Sequence, residues 1–188
     1  MQHAVHLLSA RHRRDLLRHF LQLDAADRQL RFGTPIADCG IRSYVDAIDF
    51  LDADVFAVFD DRLRIVAALH IAYSADEAEM GLSVLKRARG RGIGNSLFER
   101  AIVRLSNRFV RVVRMHCLRE NDAVLHLARK NGMHIVVDGS EADACLELPP
   151  ANGGTLAAEW LAGQLALFDY GRKVGAGSAR RMLRSLEA

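Results

Sequence analysis

A glycine-rich hexapeptide, Arg-Gly-Arg-Gly-Ile-Gly at residues 89–94, constrains this chain more than any other segment. An apolar run precedes it at residues 80–85, and the pattern that follows, from Ser96 to Leu105, is typical of a helix. Glycines allow a ligand to approach the backbone closely, and the free N–H groups and dipole of a helix start favour an anion. A strand, a glycine-rich turn and a helix in this order therefore predict a pyrophosphate-binding site.

Two common phosphate-binding motifs do not fit the hexapeptide. Its glycines fall at positions 90, 92 and 94, whereas the dinucleotide-binding fingerprint needs G-x-G-x-x-G and an acidic residue about 20 positions later. The Gly-Lys-Ser/Thr of a P-loop is missing from the sequence as well. A glycine-rich surface turn with basic neighbours is the non-functional interpretation of the same residues, since short glycine motifs often match by chance.

The hexapeptide resembles Arg/Gln-x-x-Gly-x-Gly/Ala, the coenzyme A motif of the GNAT acyltransferases, with Arg89, Gly92 and Gly94 at its fixed positions. Residues 78–84 resemble the family's fourth strand, which begins with a glutamate. Residues 121–133 are similar to the family segment Asn-x-x-(apolar)-x-x-Leu-x-x-Lys-x-Gly-Phe. Because the three blocks stand in the family's order at helix-length spacing, the chain is identified as a member of the GNAT family.

The N-terminal half carries a weaker resemblance. Residues 28–33 and 44–49 are similar to the catalytic domain of bacterial Pat-type protein-lysine acetyltransferases, and the whole resemblance covers roughly residues 5–148. It implies an α/β (α+β) fold, with a mixed, mostly antiparallel sheet flanked by helices. It also implies that the fourth and fifth strands splay apart and that the acyl chain of the cofactor lies in the gap.

Helical and strand patterns place these blocks along the chain. Apolar spacing predicts helices from Ser9 to Leu23, over 24–31, 38–51 and 122–131, and strands at 55–59, 63–73, 110–118, 135–137 and 144–148. Pro149-Pro150 and the glycines after them mark a boundary, so residues 1–150 are expected to form the acyl-CoA-binding domain. Residues 151–188 are expected to form a C-terminal helical extension and basic tail.

The extension has a helical pattern from Thr155 to Tyr170, and the basic remainder is interrupted by Gly171, Gly175 and Gly177. Its apolar helix follows an otherwise complete domain. Two arrangements remain open: the helix packs against its own core, or it pairs with a second copy in a homodimer.

The family resemblance implies a set of residues that bind acetyl-CoA. They are Leu82, Ser83, Val84, Arg89, Gly90, Arg91, Gly92, Ile93, Gly94, Asn95 and Asn121. Backbone N–H groups of residues 82–84 are implied to hold the oxyanion. Asn121 is implied to cap the following helix and to hydrogen-bond the cofactor, with a cap alone as the plainer alternative.

Transfer of an acyl group to an amine requires removal of a proton, because a lysine amine has a pKa of about 10.4. A nearby carboxylate can accept that proton. Glu79 matches the family's strand-start glutamate and is the expected base, with Glu77 in reserve; a solvated strand-end acid is the alternative. Ala128 departs from the tyrosine that many relatives carry there, so the thiolate would be protonated by water or another group. Neither Cys117 nor His126 is assigned a role.

Composition narrows the remaining classes. The 188 residues suffice for one domain, and the three cysteines are too few and too widely spaced for a disulfide framework or a zinc site, which indicates a reducing cytoplasm. Neither a signal peptide nor a membrane span is expected, and no metal-ligand pattern is present. The net charge of +3 gives little support to nucleic-acid binding.

The leading hypothesis is an acetyl-CoA-dependent N-acetyltransferase that moves the acetyl group directly to a primary amine. The acceptor is a protein lysine, which the Pat-type likeness favours, or a small-molecule amine. The alternative from another class is a non-catalytic acyl-CoA sensor of the same fold. A nucleic-acid binder that uses the basic tail is the third, and steep salt dependence would be its signature.

Overall fold

The computed structural model describes residues 3–186, with side chains described from residue 3 to residue 178. The helices are α1 (Arg13–Leu21), α2 (Ala25–Phe32), α3 (Asp38–Ala47), α4 (Ile93–Asn107), α5 (Asp122–Lys130) and α6 (Gly153–Leu186). The strands are β1 (His6–Leu7), β2 (Ala53–Phe59), β3 (Ile65–Ser74), β4 (Glu77–Val84), β5 (Val112–Leu118), β6 (His134–Asp138) and β7 (Glu141–Glu147).

All seven strands form one sheet, in the order β1-β2-β3-β4-β5-β7-β6. Neighbours are antiparallel except β4 and β5, which are parallel and pair only from Glu77 opposite Val112 to Glu79 opposite Arg114. Beyond that point β4 stays with β3 up to Val84, and β5 stays with β7 up to Leu118. The two halves of the sheet therefore diverge, which confirms the predicted splay and the predicted mixed fold.

Apolar side chains cover both faces of the sheet. On one face Leu97, Phe98 and Leu105 of α4 pack against β2, β3 and β4. On the other face α1 and α3 pack through a second cluster that includes Leu16 and Ile41. Strand residues alternate between the two clusters, so the sheet separates an α4–α5 side from an α1–α3 side.

Several element bounds differ from the sequence prediction by a few residues, and three differences have a clear physical reason. α3 ends at Ala47, before residue 51, because Ile48 already has extended backbone angles. β1 was not predicted, since two residues are too short to show a strand period. α6 runs from Gly153 to Leu186, straight through the glycines that were expected to break it.

Contacts with the core help to hold α6 in place. Lys173 Nζ donates to the carbonyl of Phe59 at 2.8 Å and lies 2.7 Å from Asp169 Oδ2. Asp169 in turn lies 3.3 Å from His6 Nε2 of β1. A glycine inside a helix costs only about 1 kcal/mol relative to alanine, which contacts of this kind can offset. Among the described residues, no helix combines the length and apolar character needed to cross a membrane.

A polar network at the start of β2 joins the sheet, α4 and α6. Asp54 accepts hydrogen bonds from Arg104 Nε at 2.8 Å and from the Tyr73 hydroxyl at 2.6 Å. Arg104 also donates to Glu159 of α6 at 3.1 Å. Burial by itself would raise the pKa of Asp54, but the hydrogen bonds outweigh it and hold this pKa below its ordinary value of 3.8.

Replacing Asp54 by asparagine is expected to lower the free energy of unfolding by about 2 kcal/mol at pH 7, because a charge-assisted hydrogen bond is lost inside the protein. A carboxylate with a lowered pKa stabilises the fold above its unfolded-state pKa of about 3.9 and loses that contribution as the pH falls. The deficit of Asp54→Asn should therefore narrow below about pH 4. Urea unfolding at pH 7 and pH 3.5 measures both effects, and a deficit independent of pH would contradict this account.

Candidate functional site

A cavity of about 440 Å³ lies at the gap between β4 and β5. Its wall contains Leu23, Asp27, Leu30, Arg31, Leu82, Ser83, Val84, Ala88, Arg89, Gly90, Gly92, Ile93, Gly94, Asn95, Asn121, Ala123, Val124, His126, Leu127 and Lys130. Every residue that the sequence predicted for cofactor binding lies in this wall except Arg91. The side chain of Arg91 is exposed on the turn and outside the wall, and its contact with the cofactor stays a prediction.

One end of the cavity is the start of α4. Gly90 and Gly92 have φ angles of +73° and +77°, a left-handed conformation that favours glycine. Asp24 and Asn121 cap α2 and α5 with side-chain hydrogen bonds, whereas in the described chain no side chain caps α4. The first N–H groups of α4 are thus available to an anion, as a phosphate site requires.

The junction between α1 and α2 holds the basic turn in place. Arg89 lies 2.8 Å from Asp27 and donates from Nε to the carbonyl of Val84 at 3.0 Å. Lys86 pairs with Asp24 at 2.5 Å. Two of the positive charges near the glycine turn are therefore neutralised by carboxylates at the start of α2, and these contacts position the turn against the sheet.

The middle of the cavity is lined by the free edge of β4. Leu85 donates its N–H to Val66 of β3 at 2.9 Å. Because alternate residues of an antiparallel strand face the same neighbour, the backbone groups of Leu82 and Val84 point instead into the gap. The Val84 carbonyl accepts from Arg89, so the two N–H groups and the Leu82 carbonyl are the groups that can pair with an extended ligand. The N–H groups can also hold an oxyanion.

Ser83 is oriented differently from Leu82 and Val84. Its backbone faces β3, and its Oγ lies 2.8 Å from Nε2 of the fully buried His19. Burial lowers the pKa of His19 to about 4, so this ring is neutral at pH 7. Of the three residues predicted to hold the oxyanion, Ser83 is thus engaged with α1 and β3.

Asn121 and Asn95 support the cavity wall. Asn121 is buried; its side-chain oxygen accepts from Val124 N–H at 3.3 Å, and its amide donates to the carbonyl of Leu30 at 3.1 Å. The predicted cap is present, and the same side chain joins α5 to α2. Asn95 accepts from Asn131 at 3.2 Å, which links α4 to the end of α5.

Glu79 lies at the fork of the two strands. It is the last residue of β4 paired with β5, and its exposed side chain borders a second depression of about 480 Å³ on the α1–α3 side, together with Glu77, Arg114 and His116. Arg114 donates to Glu77 at 3.0 Å and lowers the pKa of that carboxyl. Within the described residues Glu79 forms no ion pair, in contrast to Glu77.

The structure shows the surroundings of three further residues that the sequence analysis considered. Ala128 is fully buried, so no polar side chain occupies the place of the tyrosine found in many relatives. Cys117 lies in a small apolar cluster with Leu125 and Ala142, and burial raises the pKa of its thiol. His126 is exposed on α5 and borders the cavity. No group of three or more His, Cys, Asp or Glu in the described part of the chain could hold a metal ion.

One polar network was not predicted from the sequence. Arg31, Tyr44 and His70 are joined by hydrogen bonds of 2.9 Å and 2.8 Å on the α1–α3 side of the splay. Arg31 and Tyr44 lie within the two Pat-like segments, but the sequence pattern assigned neither residue a role. His70 lies on β3 directly opposite Gly81, a cross-strand relation that requires the strand register.

Comparison with known proteins places this geometry in a family. The family model of the GNAT acetyltransferases matches residues 28–133, more than half of the chain. A search of curated proteins finds no match. The GNAT domain of S. lividans PAT superimposes with a TM-score of 0.66 at 18% identity, over 77% of this chain and 89% of that one.

Two other solved structures show the same fold. A ribosomal-protein-alanine N-acetyltransferase from Brucella melitensis gives a TM-score of 0.58 at 15% identity, over 77% of this chain and 99% of that one. RimL, a ribosomal alpha-N-protein acetyltransferase solved with coenzyme A, gives 0.61 at 15% identity, over 77% and 93%. With its splayed strands and glycine turn, the chain belongs to the GNAT family of acetyltransferases.

Proposed function

We propose that this protein is an acetyl-CoA-dependent N-acetyltransferase that transfers the acetyl group directly to a primary amine. The observation that carries the proposal is a cavity that runs from the uncapped start of α4 to the free edge of β4. At the fork Glu79 borders the neighbouring depression, and within the described residues it forms no ion pair. One end suits phosphates, the middle suits an extended chain, and the fork suits proton transfer.

The donor fits the residues present. The N–H groups of Ile93, Gly94 and Asn95 would receive the pyrophosphate, and Lys130 adds positive charge to the wall. A Cβ on residue 94 would stand 3.4 Å from the Leu82 side chain. Glycine at position 94 therefore leaves room between α4 and β4. The backbone of Leu82 and Val84 would pair with the pantetheine arm.

In the transfer step, the amine nitrogen attacks the thioester carbonyl carbon, and a C–N bond forms as the C–S bond breaks. Backbone N–H groups of the splay hold the negative charge on the carbonyl oxygen. Glu79 accepts the proton that the amine loses, directly or through water. Since Ala128 offers no phenol, the departing thiolate takes its proton from water.

Thiol release from acetyl-CoA, measured with a panel of amines and lysine-containing peptides, tests the function. Acceptor-dependent release supports the transferase and identifies the acceptor as a protein lysine or a small amine; the likeness to the S. lividans PAT domain favours the protein lysine. The buried Ala128 favours the second candidate, an acyl-CoA sensor. Binding of acetyl-CoA without release for any acceptor would support the sensor instead.

We further propose that residues 1–150 form the acyl-CoA-binding unit and that α6 joins two copies into a homodimer. One side of α6 packs on α4 and β1 through Glu159, Ala166 and Lys173. The rest of the helix exposes large apolar side chains: Leu156, Trp160, Leu161, Leu165, Leu167 and Phe168. Monomers rarely expose so extended an apolar surface. A surface without charges is complementary to a second copy of itself, as two-fold pairing requires.

Replacing both Leu165 and Phe168 by aspartate is expected to convert a dimer into a monomer, because each chain would bring two charges into the apolar contact. Light scattering after size exclusion should give twice 20.9 kDa for the unaltered chain and 20.9 kDa for the variant. Leu51→Asp replaces an exposed leucine outside α6. It is the control and should leave the measured mass unchanged. A monomeric unaltered chain would refute the dimer.

The three cysteines are free: Cys39 is exposed, Cys117 is buried and Cys145 is intermediate. Free thiols are typical of a reducing compartment. We therefore propose that the protein acts in the cytoplasm, where acetyl-CoA would be its donor.

A further inference from the structure

An arginine side chain lies at the inner end of the cavity, beside the fork. Gly81 is the first residue of β4 beyond the fork on the face that carries Glu79. A Cβ at position 81 would overlap the guanidinium carbon and both terminal nitrogens of Arg31. The guanidinium therefore lies directly against the backbone of Gly81, at the junction between the donor cavity and the free carboxylate.

This cation has no counter-ion. Within the described residues no carboxylate lies within ion-pair distance of Arg31, whereas Arg89 in the same wall is paired with Asp27. Arg31 contacts aromatic rings instead: its guanidinium carbon lies 5.1 Å from the Phe32 centroid, 5.7 Å from that of Tyr44 and 5.8 Å from that of Phe20. Its Nε is buried without a hydrogen-bond partner. Arg31 is partly buried, and a buried N–H without an acceptor is costly unless a ligand supplies one.

Hydrogen bonds fix the orientation of the guanidinium. Arg31 Nη2 donates to the Tyr44 hydroxyl at 2.9 Å, and that hydroxyl lies 2.8 Å from His70 Nδ1. Burial and the charge of Arg31 lower the pKa of His70 to about 4, so its ring is neutral at pH 7. With Nδ1 accepting from Tyr44, the ring proton is on Nε2, which is also buried without a partner. The two buried atoms without partners, Arg31 Nε and His70 Nε2, are thus both N–H donors.

These two N–H donors lack acceptors, and a ligand with oxygen atoms would provide them. The phosphates of the donor are bound at the other end of the cavity, at the start of α4, so they do not meet this need. A planar guanidinium matches a carboxylate, which can accept two parallel hydrogen bonds from it. The position of Arg31 beside the fork places such a carboxylate next to the reacting carbonyl.

We propose that Arg31 recognises a carboxylate adjacent to the reacting group, carried either by the acyl chain of the donor or by the acceptor amine. The first source is a dicarboxylic acyl-CoA such as succinyl-CoA; the second is an amino acid with a free carboxylate. This inference rests on the proposed acyltransferase function. Arg31 acts here as a specificity-determining residue, held in place by Tyr44 and His70.

The test compares matched pairs of substrates. Succinyl-CoA is compared with butyryl-CoA, which has the same chain length without the charge, by calorimetric affinity and by thiol release. Lysine is compared with lysinamide as acceptor, with acetyl-CoA as donor. The unaltered protein is expected to prefer the carboxylate member of one pair by about tenfold or more, the range of a charge-assisted hydrogen bond. The pair that shows the preference identifies the source of the carboxylate.

Two variants show whether Arg31 causes that preference. Arg31→Gln removes the charge and should bring the ratio within each pair close to one. Gly81→Ala keeps the charge but displaces the guanidinium, and should lower the ratio as well. Arg62→Gln, a change on an exposed turn, is the matched control and should keep the full ratio. Circular dichroism checks that each variant is folded.

The outcomes separate this inference from the function on which it rests. Acetyl-CoA binding without a preference in either pair, or a preference that persists in Arg31→Gln, would overturn the carboxylate site alone. A protein that binds none of the CoA thioesters would overturn the proposed function and the carboxylate site with it. Loss of the preference in Arg31→Gln but not in Arg62→Gln supports the assignment.

Discussion

Replacing Gly92 by valine is expected to weaken acetyl-CoA binding by about a hundredfold or more. Gly92 has a φ of +77° immediately before α4, where nothing obstructs a side chain but the backbone conformation is strained for any L residue. A β-branched residue would force the turn out of this conformation. The first N–H groups of α4 would then be misaligned, and each hydrogen bond to a charged group contributes about 1.5–3 kcal/mol.

Isothermal titration calorimetry with acetyl-CoA measures this effect, and Gly139→Val provides its control. Gly139 has a φ of +57° in the turn between β6 and β7, outside the cavity, so the same substitution imposes a similar backbone strain there. Both variants should lose stability, but only Gly92→Val should lose affinity. Equal affinities in the two variants would show that the turn does not form the phosphate site.

Replacing Glu79 by glutamine is expected to reduce kcat by about a hundredfold or more at pH 7, the usual contribution of a general base. Glutamine retains the size of the side chain but cannot accept the proton of the amine. The deficit should narrow as the pH rises toward the acceptor's pKa of about 10, because the amine then loses its proton to the solvent. A structural defect would not follow the pH in this manner.

Glu77→Gln is the matched control for this experiment. Glu77 lies two residues before Glu79 on the same face of β4, but it is paired with Arg114. Its replacement should change kcat only a few-fold and should leave the pH profile intact. If Glu79→Gln retained full activity at pH 7, Glu79 would not be the base. If Glu77→Gln showed the larger deficit, that role would pass to Glu77.

The cavity wall was largely predictable because its chemistry is local. The glycines at 90 and 92 determine the turn, and the start of a helix presents its N–H groups whatever surrounds it. The Asn121 cap is also local, because its side chain accepts from Val124, three residues further along the chain. Family resemblance then supplied the splay of the fourth and fifth strands, which apolar patterns alone could not have established.

The polar contacts around the splay could not be predicted in the same way. Ser83 bonds to His19, Arg89 pairs with Asp27, and Arg31 lies on Gly81, across separations of about fifty to sixty residues. No periodicity marks such pairs, because they depend on the register of β4 and on the angle at which α1 and α2 approach it. For the same reason the sequence could not show that Arg89 pairs with Asp27 while Arg91, two residues later, is exposed on the turn.

The sequence by itself determined most of the elements and the glycine turn before α4, since backbone conformation, capping and apolar period are properties of neighbouring residues. Tertiary structure alone decided which charges are satisfied. It paired Glu77 and Arg89 with opposite charges, whereas Glu79 and Arg31 form no ion pair within the described residues. It also carried α6 through three glycines. The physical reason is that desolvation and ion pairing depend on distances between residues that are remote along the chain.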